Sequence, residues 1–138
     1  FAFPLNTAGE IANEQSRHAD ALGFLNRAKS LAVDNSNRIY GPIDVNLGRA
    51  ICEMGRLEMG LDHIAIGRNS LSKHYSPTDW RYGVADEFES RCRAAMGERK
   101  KARALATSGY ARLREQLGDE HYFTKRAKAW MEGLRKEG

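Results

Sequence analysis

The chain has 138 residues, a formal net charge of +4, 3 Pro and 2 Cys, with 41% hydrophobic residues. That is one domain's worth of chain, able to bury a sizeable core, and too polar for a membrane span: no run of 18 apolar residues occurs. Nothing resembles a signal peptide, and two cysteines make no disulfide framework. The chain opens with Phe1 and enters helical patterning at once, which reads as an excised or cleaved piece of a longer protein.

In chain order, apolar periodicity and start and stop signals predict seven helices, over roughly 4–14, 17–33, 41–54, 57–74, 79–95, 98–117 and 120–136. Pro4 and Pro42 sit where a first helical turn begins, and Pro77 precedes Thr78-Asp79, which is helix-starting chemistry. No alternating run rich in Val, Ile and Thr offers a strand, so the expected class is all-α. The last segment carries Phe123, Ala127, Trp130 and Leu134 as one apolar stripe. Lys125, Arg126, Lys128, Glu132 and Arg135 form its other, charged face, as a terminal capping helix requires. The rival reading is the inner helix of a further repeat.

A spacing recurs through these segments. Gly9, Ser16, Ala21, Leu25 and Ala28 return as Gly48, Gly55, Gly60, Ile64 and Gly67, then as Ser90, Gly97, Ala102, Ala106 and Gly109. The offsets between copies are 39 and 42 residues. Self-similarity of this length marks an array of supersecondary units. Gly inside a helix costs about 0.5–1 kcal/mol relative to Ala, so two of them at Gly60 and Gly67 need a compensating reason, which close helix–helix approach supplies. Leu5 and Ala12, Leu47 and Ile51, then Val84, Phe88 and Met96 are expected to fill the same faces.

This pattern resembles the tetratricopeptide repeat. It is carried by Ala8-Gly9, Ser16, Ala21 and Ala28, then Asn46-Leu47-Gly48, Gly55, Gly60 and Gly67, then Ser90, Gly97, Ala102 and Gly109. The 42-residue offset resembles the longer variant of kinesin light chains and bacterial signalling proteins, and residues 117–127 resemble its inter-repeat linker. The resemblance implies a single domain over 1–138. It would be a right-handed α-solenoid of three helix-turn-helix repeats (about 2–36, 37–78 and 79–119) with a terminal helix at 120–136.

It also implies a protein-interaction or scaffolding module in a cytoplasmic, regulatory or signalling protein, with the first helix of each repeat lining a concave groove. The groove residues would be Phe3, Asn6, Glu10, Asn13, Val45, Asn46, Arg49, Cys52, Glu87 and Arg91, and Arg49 with Arg91 could clamp a carboxylate. Some family members hold a C-terminal carboxylate with Lys, Asn and Arg. Asn46 alone fits that set, while Asn6, Glu10, Val84 and Phe88 stand where basic or amide groups are wanted, which disfavours a chaperone-type acidic tail. Several of these residues could instead bridge neighbouring repeats.

Charge is uneven. Residues 1–90 hold 9 Lys/Arg against 12 Asp/Glu, a net of −3, and residues 91–138 hold 13 against 6, a net of +7. Arg93, Arg99, Lys100, Lys101 and Arg103 form a basic patch that could steer an acidic partner or, as the alternative, meet nucleic acid. Interleaved aromatics for base stacking are missing, and a solvated helix face is the simpler explanation of such cations. Dimerisation through the ends of the stack is a third reading.

His18, His63, His74 and His121 fall at no zinc spacing, and no nucleophile or phosphate-loop signature occurs, so neither enzyme activity, metal nor cofactor is expected. Asp119-Glu120-His121 reads as helix-start chemistry. Cys52 and Cys92 fall on predicted inner helices of different repeats, where stacking would hold equivalent positions about 10 Å apart, further than a disulfide reaches, so free thiols in a reducing compartment are expected.

Overall fold

A computed structural model describes residues 1–137, and all regular structure among them is helical. Unit one, Phe1–Tyr75, holds α1 (Ala2–Glu14), α2 (His18–Ala32), α3 (Tyr40–Glu53) and α4 (Leu57–Leu71). Unit two, from Ser76 onward, holds α5 (Trp80–Ala95), α6 (Arg99–Leu117) and α7 (Tyr122–Lys136). The seven predicted helices are all present, with ends displaced by a few residues. The α5 start is built as expected, with Asp79 accepting from the Arg81 N–H; at α7 the cap is the His121 Nδ1, which accepts from the Phe123 N–H, and not one of the acidic residues before it.

The recurring residues Ser16, Gly55 and Gly97 share one conformation. Each follows the first helix of a hairpin and lies in the left-handed region, with φ of 60°, 90° and 83°. Their N–H groups bond back to the carbonyls of Asn13, Cys52 and Ala94, and those of Arg17, Arg56 and Glu98 to Ala12, Ile51 and Arg93. This is a Schellman turn made three times, and it satisfies the carbonyls each helix end would otherwise leave open. Glycine takes that φ without a Cβ penalty; Ser16 is the exception among the three.

The turns return each chain so that helix backbones nearly touch. In unit one, a Cβ added at Gly48 would lie 2.7 Å from the Gly60 carbonyl oxygen, and one at Gly67 would lie 2.9 Å from the Gly41 oxygen. In the first hairpin, Gly9 faces the Leu25 side chain at 2.5 Å by the same measure. In unit two, Gly83 and Gly109 face one another's carbonyls at 3.0 and 2.9 Å. Ser90 uses its closeness differently, donating its hydroxyl to the Ala102 carbonyl at 2.6 Å. Around these contacts unit one buries Ala12, Ala21, Leu25, Ala28, Ile43, Leu47 and Ala50 in one cluster. Unit two buries Ala102, Ala106 and Leu134, with Trp130 and Met131 packed against them.

Within unit one, α3 packs on α2 and touches α1; within unit two, α7 packs on α6 and touches α5. The register agrees: Asp79 and His121, both helix-capping residues, are 42 apart, and Ala127, Met131 and Leu134 stand 84 residues after Ile43, Leu47 and Ala50. Where α5 has Gly83 and Ser90 facing its partner helix, α7 has Lys125 and Glu132, both exposed.

Three expectations need correction. Met96 ends α5 as an exposed residue, because it caps the helix instead of facing the hairpin. Arg126 does not belong to the solvated face of α7; its side chain is buried against Glu87. Neither cysteine is a free thiol, both sulfurs being disulfide-bonded. The free-thiol expectation assumed equivalent positions, but Cys52 follows Gly48 by four residues and Cys92 follows Ser90 by two.

The glycine contacts set a stability test by denaturant unfolding. Gly48→Ala and Gly67→Ala drive a methyl into a backbone carbonyl and are expected to cost about 2 kcal/mol or more each. Gly23 and Gly133 meet nothing within 4 Å, so Ala at either should stabilise by about 0.5–1 kcal/mol.

Candidate functional site

The proposed groove residues of unit one converge on the seam between α1 and α3. The Asn46 amide donates to Asn6 Oδ1 at 3.0 Å and to Glu10 Oε1 at 3.4 Å, and Asn6 donates to the same Glu10 oxygen at 3.3 Å. One turn on, Asn13 Nδ2 donates to the Asn46 carbonyl at 3.3 Å, and its Oδ1 meets His18 Nδ1 at 2.9 Å. Arg49 closes the row with an ion pair to Glu14 at 2.5 Å. Asn6, Asn13, Asn46 and Arg49 are buried, so the row is an internal ladder that fixes how one hairpin stacks on the next.

The other members of the predicted set fall elsewhere. Val45 is buried against Gly67 on α4, and Cys52 is buried beside Gly60. Phe3 is open, with 69% of its surface exposed. In unit two, Glu87 is only 1% exposed and lies between two arginines. Arg126 Nε sits 3.0 Å from both carboxylate oxygens, and Arg91 is 2.9 Å from Oε2. The Arg126 guanidinium stacks over Phe88 and Phe123, each at 4.9 Å, and Arg91 lies 4.7 Å over Trp130. The Trp130 indole N–H donates to Ser90 Oγ at 2.8 Å. Charge and ring faces together hold α7 against α5.

The basic patch is largely neutralised by its own neighbours. Arg93 pairs with Glu89 and Glu98, Lys101 with Glu98, and Arg99 with Glu137. The hydrogen bond from Arg93 holds the Glu98 carboxyl below its usual range, with Lys101 adding to the effect. Among the described residues, Lys100 and Arg103 make no ion pair with another side chain. The set therefore comes together in space, but as a lattice of ion pairs more than as a free cationic surface.

Sequence reasoning missed a buried carboxylate. Asp44 is fully enclosed; its Oδ1 meets Lys29 Nζ of α2 at 2.9 Å and His63 Nδ1 of α4 at 3.0 Å, tying three helices. Among the described residues its Oδ2 has no partner. Asp86, 42 residues later, is likewise buried and meets Ser108 at 2.9 Å and Arg112 at 3.3 Å. The shared offset was a signal available in the sequence, although the partners differ. Among the described residues no group of three or more His, Cys, Asp or Glu is placed to hold a metal ion. No described helix is long and apolar enough to cross a membrane. No family model, curated protein or solved structure matches this chain.

The two seams make separable predictions. Glu87→Ala leaves Arg126 buried without its carboxylate and should cost about 3 kcal/mol or more, whereas Arg99→Ala, at an exposed pair, should change stability by less than about 0.5 kcal/mol. Burial holds the His18 imidazole below its ordinary 6.5, with Arg49 lowering it further and Glu53 opposing. The unfolded chain therefore takes up this proton first as pH falls. His18 contributes stability above pH 6.5 that is lost as pH drops through its folded value. An NMR titration midpoint for His18 at or above 6.5 would contradict this.

Proposed function

We propose that the chain is a tetratricopeptide-like array, a right-handed α-solenoid closed by α7, that works as a protein-interaction or scaffolding module. The observation that carries this reading is the hairpin itself: one turn geometry and one close-packed helix pair recur in phase with the sequence repeat. Repeats of this kind stack to present an extended face, and extended faces bind segments of other proteins. The charged outer face of α7, with Lys125 and Glu132 where α5 has Gly83 and Ser90, supports its role as a cap.

Recognition on this reading falls to the exposed part of the first helices, since Asn6, Asn13, Asn46 and Arg49 are already spent on holding the hairpins together. Phe3 and Thr7 are exposed on α1 and available to a partner. Lys100 and Arg103 add a modest cationic bias that would speed the approach of an acidic partner at low salt. A nucleic-acid role draws less support, because Arg93, Arg99 and Lys101 have carboxylates beside them. Disulfide-bonded cysteines do not mark a reducing compartment.

Photo-crosslinking in cells tests the proposal. A photoreactive residue replacing Phe3 or Thr7 should capture a discrete protein, and the same residue replacing Arg27 on α2 should not. Equal capture from both positions, or nucleic acid in place of protein, would overturn it.

A further inference from the structure

Lys29 of α2, Asp44 of α3 and His63 of α4 meet at one carboxylate oxygen, and the proposed interaction role makes no use of them. Asp44 is fully enclosed, while the side chains of Lys29 and His63 stay 27% and 24% exposed. An imidazole nitrogen 3.0 Å from a carboxylate oxygen carries the hydrogen, so His63 Nδ1 is the donor and the lone pair of the neutral ring sits at Nε2. Among the described residues that Nε2 has no hydrogen-bond partner, and it is not enclosed. The other histidines are arranged differently. His18 Nδ1 meets the Asn13 amide oxygen, His121 Nδ1 accepts from the Phe123 N–H, and His74 spends its Nε2 on the Asn35 carbonyl. Among the described residues, then, a carboxylate orients the ring of His63 alone, and it leaves the nucleophilic nitrogen facing outward.

We infer that His63 is a phosphoryl acceptor, with Nε2 as the nucleophile and a phosphoramidate, in which phosphorus is bonded to nitrogen, as the class of donor. Attack forms the Nε2–P bond as the donor's P–N bond breaks. The leaving nitrogen, protonated beforehand, takes the electron pair and departs as a neutral amine. No proton leaves the ring, which becomes an imidazolium with its Nδ1–H still facing Asp44. The enclosed carboxylate therefore stabilises a positive charge that develops only as the new bond forms. Asp44 Oδ2, buried without a partner, leaves that carboxylate short of hydrogen bonds and disposed toward a second cation. Lys29 selects phosphoryl over neutral electrophiles. Its Nζ and His63 Nδ1 share Asp44 Oδ1, so they are separated by no more than those two contact distances together, and the ammonium has donors left for phosphoryl oxygens. The Tyr40 ring, 5.2 Å from Nζ, helps hold that lysine in place. Asp44 is a positioning residue, acting through the imidazole. The inference rests on these three side chains and is independent of which partner the array recognises.

The probe is potassium phosphoramidate, incubated with the full chain at neutral pH and followed by phosphorus NMR and by peptide mapping under alkaline conditions. Label is expected first at His63, on Nε2, about tenfold faster than at His121, which is exposed but has its lone pair at Nδ1. Asp44→Asn keeps the shape and a hydrogen-bond acceptor but removes the charge, and should slow labelling of His63 about tenfold. Lys29→Met should slow it several-fold, and Lys29→Arg should restore the rate. Circular dichroism establishes that each variant folds; should Asp44→Asn fail to, the lysine pair at its partly exposed site carries the test. Label spread over all four histidines at the rate of an unstructured histidine peptide, label on Nδ1 of His63, or an unchanged rate in Lys29→Met or in folded Asp44→Asn would overturn the inference.

Discussion

Everything else in this molecule depends on how closely paired helices approach. At Gly48, Gly60 and Gly67 in unit one, and at Gly83 and Gly109 in unit two, there is room for a hydrogen but not for a methyl group unless a neighbour shifts. Glycine in a helix interior is intrinsically unfavourable, so its use at matched positions on both members of a pair has to be repaid by contact. The repayment is backbone packed on backbone, with side chains such as Leu25 and Ile64 fully buried beside the glycines. The turn that brings each pair together is equally constrained. Its left-handed residue and two back-bonding N–H groups leave no freedom in the angle at which the second helix departs.

Once hairpins are that tight, the polar residues on their flanks acquire a structural task. Asn6, Glu10, Asn13 and Asn46 are hydrogen-bonding groups enclosed between α1 and α3, and they are satisfied only in one stacking register. Asp44 does the same between α2 and α4, and Glu87 between α5 and α7. Such groups add modest net stability, but any slip of one helix past the next strands them without partners, and that penalty is large. Specific stacking follows from this asymmetry. It also explains why a face that looks suited to recognition by composition turns out to be engaged in self-recognition.

The proposed interaction role therefore rests on what stacking leaves over. Phe3, Thr7 and Ile11 of α1 remain open, while α7 turns charged residues outward.

Periodicity and composition alone were enough to define the helices, the hairpin pairing and the close-packed positions, because these depend on local backbone preference and on residues repeating in phase. Ser16, Gly55 and Gly97 announced the turns, and Gly48, Gly60 and Gly67 announced the contact, since few other circumstances favour glycine there. The fate of the charged and amide side chains was decided only by the tertiary structure. Arg126 looked like a solvated residue and is buried; Arg49 looked like a ligand clamp and is bound to Glu14; Asp44 attracted no notice and joins three helices. A long polar side chain reaches several ångströms from its own helix, so its partner is set by which helices lie alongside, and one-dimensional spacing carries no record of that distance. The cysteines were misjudged because their state depends on the surroundings of each sulfur, which position within the repeat does not specify.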